Sequence, residues 1–330
     1  MFSANIDSET LLYFEILVQL AIIASISLWV VFFRIPIKII VLVLSISLFI
    51  AGAFRLENYN SDTLNYASYF HFLSLTSGSA AYSLSKIEPI HIFLLLFSSN
   101  FTQWLFLEGV LASAITFFLY RKIDRADVFI TVMAFAITLY TSSFRFSLAI
   151  LLLCALLTHR SRSYLYLLFV SLFSSAAHIS MLFGGVLAKR KFYIPILLVI
   201  LFFAVALYDP NVRERSGVDL QDVKTMGLKS LAGALLILGY AAYSNKKIIS
   251  REFFIDFINI IMIFMTTAFV FPILNRLIII FSLVIIMEFS LDKPKKHIEL
   301  PGRIYSLLFF LIISVPFIYF TPDLFYQSIW

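Results

Sequence analysis

The sequence predicts an all-α, polytopic integral membrane protein, and three observations carry that class. Of its 330 residues, 61% are hydrophobic and 13% charged, against roughly 45–50% and about 25% in an ordinary soluble domain. The apolar residues fall in continuous runs rather than alternating ones. Alternation is the mark of a membrane barrel, so helices are left to satisfy the backbone in hydrocarbon. Short basic clusters separate the runs, as in cytoplasmic loops.

A crossing takes about 20 apolar residues, within a range of roughly 17–25. In chain order, the runs 11–33, 37–54, 102–120, 128–143, 145–158, 192–208, 228–243, 254–273, 276–290 and 304–320 approach or meet that length. Two stretches are ambiguous. Residues 88–100 are apolar but short, and 164–188 is a long run with His178 inside it. Charge bias decides both. Arg34/Lys38, Arg121/Lys122/Arg125, Arg160/Arg162, Lys189-Arg190-Lys191, Lys246/Lys247/Arg251 and Lys293/Lys295/Lys296/Arg303 hold most of the 25 Lys and Arg. They share the cytoplasmic side only if 88–100 is re-entrant or interfacial and 164–188 is a short helical hairpin.

The resulting topology has about twelve transmembrane helices, counting the hairpin arms at their span of roughly 17–25 residues or less, with both termini outside. The hairpin arms reach only about 21 and 16 Å at ~1.5 Å per residue, short of a bilayer core of about 30 Å. Their tip, Ala176-Ala177-His178, is therefore expected below the outer surface, where non-helical backbone is tolerated if it lines a cavity. Residues 1–330 read as a single transmembrane domain, with external loops at 55–87 and 209–227.

Several classes are excluded. No GxxxxGK loop is present, which argues against ATP-driven transport within the chain. Cys154 is the single cysteine, so no intramolecular disulfide forms. The first ten residues carry Asp7 and Glu9 but no Lys or Arg, unlike a cleavable signal peptide, so the first helix is expected to remain as an anchor. Nucleic acid is not an expected partner, and no cofactor is expected.

Ionisable groups inside a membrane are costly and mark function by default. On this topology Glu15, Glu108, Arg145, His178 and Arg276 all fall in the outer half. Arg55, Asp62, Glu88, Arg213 and Arg215 join them from the external loops. Arg145 interrupts two apolar runs; it reads either as a snorkelling residue at a helix junction or as a bidentate phosphate ligand. Arg276 follows Pro272 and Asn275 at a helix start, where phosphate binding competes with a structural pairing to Glu or Asp. Asp62, within Asn60-Ser-Asp-Thr63, suits a turn or N-cap, a general base, or a ligand for a sugar hydroxyl. Tyr66 and Tyr69 offer aromatic faces for sugar rings or for packing.

His178 is a hydrogen-bonded packing residue or, at a funnel floor, a base working near neutral pH. Glu88 precedes Pro89 and reads as a helix N-terminal anion or as an acid or base. Arg213 and Arg215 are solvated loop charges or attract an anionic substrate. Asp219 and Asp222 lack a third ligand at useful spacing, so no metal site is expected.

The order of these features resembles the EpsG-type branch of the Wzy polysaccharide polymerases. A helix pair precedes Arg55, Asp62 and Tyr66. Glu88-Pro89 opens a helix, Phe144-Arg145-Phe-Ser-Leu-Ala149 follows a basic turn, and Ala177-His178-Ile-Ser-Met-Leu follows another. The resemblance covers roughly residues 50–190, with weaker support to about 290. Asn60 stands where the family pattern has Gly, Phe146 where it has Gln, and Ala177 where it has Phe.

The resemblance implies a GT-C-like membrane glycosyltransferase architecture in the bacterial inner membrane, with its active site facing the periplasm. It implies a metal-independent, inverting polymerase of undecaprenyl-pyrophosphate-linked oligosaccharide repeat units in O-antigen, capsule or exopolysaccharide biosynthesis. The lipid-linked donor and acceptor, membrane lipid and a chain-length regulator protein would be its partners. Asp62, His178 or Glu88 would do the proton chemistry. Arg55, Tyr66, Tyr69, Arg145, Arg213, Arg215 and Arg276 would bind substrate. The alternatives left open are a lipid-linked oligosaccharide flippase or other transporter, an O-antigen ligase, an acyltransferase and a purely structural membrane protein.

Overall fold

The computed structural model describes residues 37–53, 88–142, 144–159, 163–189, 220–245, 251–269 and 275–292, with a few isolated positions besides. All regular structure among them is helical, with no strand. Helix α1 is Ile37–Ala53 and α2 is the seven-residue Pro89–Leu95. Helices α3 (Phe101–Lys122), α4 (Ala126–Ser142) and α5 (Phe144–Leu157) follow. Next come α6 (Tyr164–Ser175), a 3-10 turn over Ile179–Phe183 and the one-turn α7 (Gly184–Leu187). Helices α8 (Leu220–Asn245), α9 (Arg251–Phe269) and α10 (Asn275–Asp292) complete the described order.

Among the described residues, α3 is the one helix both long and apolar enough to cross a membrane. Its 22 residues extend about 33 Å at ~1.5 Å per residue. Asn100 caps it by accepting a 2.8 Å bond from the Gln103 amide, and Arg121 and Lys122 meet the negative end of its dipole. The expected spans 11–33 and 192–208, and nearly all of 304–320, lie outside the described residues.

The helices are apolar on the outside as well as the inside. In α1, Ile40, Val41, Leu44 and Leu48 are buried, while Ile39, Leu42 and Ile46 on the other faces are exposed. In α6, Leu167, Val170, Ser171 and Ser174 face inward, and Leu165, Leu168, Phe169, Leu172 and Phe173 face out. Helices hydrophobic all round belong to an apolar surrounding rather than to water. Where they meet, small hydroxyls bridge them. Ser113 Oγ donates to the Ser45 carbonyl at 2.9 Å, joining α3 to α1, and Ser147 Oγ donates to the Ala136 carbonyl at 2.6 Å, joining α5 to α4.

Helix α5 is the axis of the fold. Every residue from Phe144 to Cys154 is buried, and α3, α4, α6 and α10 pack around it.

The chain doubles back between α6 and α7, as the charge bias requires. The close approach depends on Gly185. Its amide donates to Ser171 Oγ at 3.1 Å, and a Cβ there would lie 1.9 Å from the Leu167 carbonyl oxygen. The seven residues of α2 cover about 10 Å at ~1.5 Å per residue, about a third of a bilayer core of about 30 Å.

Candidate functional site

The site is built on the non-helical backbone of the hairpin tip. The small residues Ser174 to Ala177 end α6, and His178 is extended (φ −164°, ψ 126°) before the chain turns again. Such backbone leaves carbonyls without helical partners, and buried carbonyls need partners. Helix α2 supplies them. The Ile90 amide donates to the Ala176 carbonyl at 3.0 Å, and His91 Nε2 donates to the Ala177 carbonyl at 2.9 Å. The Trp104 indole N–H donates to the His91 carbonyl at 3.1 Å, tying this contact to α3.

Three polar pairs surround the tip. The first is His91 with Glu108, both fully buried, hydrogen-bonded from Nδ1 to Oε1. A carbonyl only accepts, so His91 Nε2 carries a proton toward Ala177, and a further proton lies between Nδ1 and the carboxylate. The pair is neutral overall whichever atom holds that proton. Glu108 Oε2 is buried with no hydrogen-bond partner among the described residues.

The second pair is Glu88 with Arg145, at 2.5 Å from Oε2 to Nη1. Glu88 occupies the N-cap position of α2, ahead of Pro89 at the first helical position, but its side chain makes no capping bond. The carboxylate stands at the helix N-terminus, as the sequence reading had it, and is turned to the guanidinium as an ion-pair partner.

The third pair is His178 with Arg276. Arg276 stands in the first turn of α10 and its Nη1 is 3.0 Å from His178 Nε2. Across the ring, Nδ1 is held by Ser180, whose backbone N–H and Oγ lie 3.2 and 2.8 Å from it. Phe146 is the platform for this pair. The Arg276 guanidinium lies 5.2 Å from its ring centroid, within cation–π range, and the His178 ring meets it edge-on at 5.2 Å. His178 is thus one partner of Arg276, a residue for which the sequence suggested phosphate or a Glu or Asp. Phe146 therefore has a defined place in the site.

The structure therefore gathers Glu88, Arg145, His178 and Arg276 around one tip. Arg55, Asp62, Tyr66, Tyr69, Arg213 and Arg215 lie outside the described residues, as do Asp219 and almost all of the loops 55–87 and 209–227. His91 is absent from the sequence-derived candidates and is central to the site. Its signal was present: it follows Glu88 by three residues in an otherwise apolar stretch. Among the described residues no group of three His, Cys, Asp or Glu could hold a metal ion.

A correction concerns the other end of the bundle, where buried charge was not expected. Arg125 and Asp127, between α3 and α4, are both buried. They form a two-point ion pair, Nη2 to Oδ2 at 2.6 Å and Nε to Oδ1 at 3.2 Å. Tyr240 of α8 hydrogen-bonds Asp127 Oδ2 and stacks on Tyr305 at 3.8 Å. Asp256, in α9, is buried as well. Buried ionisable groups therefore sit at both ends of α3, because a local ion pair can be folded into a helix junction that the hydropathy pattern reads as a solvated loop.

The chain matches no protein-family model, no curated protein sequence and no solved structure.

Proposed function

We propose that this chain is an inverting glycosyltransferase of the bacterial inner membrane, polymerising undecaprenyl-pyrophosphate-linked oligosaccharide repeat units at its periplasmic face. In this reading the bundle has about twelve crossings, each of the usual ~20 residues or somewhat fewer, and the hairpin tip lies toward the periplasm. The observation that carries the reading is the gathering of two arginines, a neutral histidine and a carboxylate around a break in the helical backbone of an apolar bundle.

The chemistry follows from those groups. Arg145 and Arg276 bind the donor diphosphate and offset the charge that grows on it as it leaves. His178 Nε2 takes the proton of the acceptor hydroxyl. The hydroxyl oxygen forms its bond to the anomeric carbon from the face opposite the diphosphate. The bond from that carbon to the diphosphate oxygen breaks, and its electron pair departs with the lipid diphosphate. One displacement inverts the carbon, as with base-activated water in inverting glycosidases. The proton then passes from His178 to water. Asp62, Tyr66, Tyr69 and Arg55 are assigned to the sugar path and the outer part of the donor, and Arg213 and Arg215 to attraction of the anionic lipid.

A flippase is the reading that the Arg125–Asp127 pair favours, since transport needs polar groups through the depth of the membrane. The central helix opposes it. From Leu148 to Cys154, α5 is apolar and packed on all sides, with no polar side chain to link the two ends.

The test is chain growth by purified protein in lipid nanodiscs supplied with a lipid-linked repeat unit. Wild type is expected to give a polymer ladder, and Arg145→Ala, Arg276→Ala and Asp62→Asn to give truncated or empty lanes. Full ladders from both arginine variants would overturn the phosphate assignment, and transfer to a lipid-A-type acceptor without polymer would make the protein a ligase.

A further inference from the structure

We propose that the donor's diphosphate arms His178 by drawing Arg276 away from it, with Glu88 holding a phosphate's place beside Arg145 until the donor arrives. The inference rests on the polymerase reading for the identity of the anion and goes beyond it by assigning a resting state to the site.

With Arg276 against Nε2 and the Ser180 backbone N–H and Oγ against Nδ1, both ring nitrogens are engaged and neither is open to a substrate proton. A base in this arrangement is capped. A cation at 3.0 Å from the ring also opposes the second positive charge that a proton would bring. The base therefore works only after Arg276 has moved or been neutralised.

A diphosphate does both. Its oxygens are charged and spaced for two-point binding, so they are better partners for a guanidinium than a neutral ring nitrogen is. Arg276 reaches from the first turn of α10, where the helix N-terminus adds to the pull on an anion. As the guanidinium turns to phosphate, Nε2 is uncovered and the opposing charge is offset. Nδ1 stays against Ser180, so the ring keeps its orientation while it gains the proton.

The Glu88–Arg145 pair extends the same logic. Arg145 meets a carboxylate at 2.5 Å in a site where both side chains are about nine-tenths buried. A carboxylate and a phosphate present the same two-oxygen face to a guanidinium. Glu88 is thus a resident competitor, displaced when the donor binds. It keeps Arg145 compensated in the empty site, where an unpaired buried cation would be costly.

The experiment uses full-length protein labelled with 15N-histidine in lipid bilayers and read by solid-state NMR, the His178 signals being those lost in His178→Asn. The probe is inorganic pyrophosphate, with binding followed by isothermal titration. His178 Nε2 is expected to move on saturation with pyrophosphate. Arg276→Ala is expected to show the moved position without it. Glu88→Gln is expected to bind pyrophosphate about tenfold more tightly, the effect of removing one competing charge-assisted contact. An unchanged His178 signal at saturation, or no pyrophosphate binding at all, overturns the proposal. Chain growth separates the two claims. Polymer made by a protein whose His178 ignores pyrophosphate leaves the polymerase standing and removes the arming. A protein that makes no polymer but whose His178 responds removes the polymerase and keeps the anion coupling.

Discussion

The two ends of the bundle bury similar groups and assemble them differently. At one end Arg125 and Asp127 lie two residues apart and pair as the helix junction forms, and Tyr240, 113 residues from Asp127, then closes over them. At the other end the contacts join separate helices, and apart from His91 with Glu108, 17 residues on, they are far apart in the chain. Arg145 is 57 residues from Glu88, Arg276 is 98 from His178, and the His91 side chain reaches 86 residues to Ala177. The local pair behaves as a staple, with its carboxylate shared among an arginine and a tyrosine. The long-range pairs surround extended backbone and leave a histidine nitrogen whose bond can be exchanged. On the proposed reading, the manner of assembly, rather than burial alone, separates a structural charge from a working one.

Substitutions can break this contrast. The largest effect is expected at His178, where loss of a base lowers transfer by about 10²–10⁴-fold. His178→Ala should do so with little change in the thermal midpoint, and chain growth together with a melting curve in detergent checks both. Asp127→Ala should do the opposite. It leaves Arg125 buried without its carboxylate, a loss of about 3–5 kcal/mol, while the rate per folded molecule holds. An Asp127 variant of normal stability, or one that is folded but inactive, would erase the distinction between the two ends.

A smaller effect is expected from Gly185→Ala. The new methyl group meets the Leu167 carbonyl, and overpacking of this kind costs about 1–3 kcal/mol. Because the hairpin carries His178, the rate should fall along with stability. A rate unchanged in the face of a lower midpoint would show that the tip is positioned by α2 alone. The least effect is expected from Ser113→Ala, which removes one interhelical hydrogen bond worth about 0.6 kcal/mol. It should shift the midpoint slightly and the rate not at all.

What the sequence determined alone is what depends on neighbours along the chain. Continuous apolar runs require helices, and most of the described helices start and stop within a few residues of the run boundaries. Alternating basic clusters required a fold-back within 164–188, and the chain reverses at Ala176–His178 between α6 and α7. Small residues at the turn and Pro89 at the start of α2 are equally local signals. Pairing is not local. Nothing in the composition around Arg145 distinguishes Glu88 from another carboxylate, and nothing around Arg276 names His178. His91 looked like one polar residue in a short apolar stretch until its ring was found between Glu108 and the tip carbonyl. Arg125, in a basic loop, looked solvated until Asp127 and Tyr240 enclosed it. Those outcomes were decided by tertiary packing, because a buried charge takes the partner that the fold brings within about 3 Å, and helices far apart in the chain meet only once the bundle has closed.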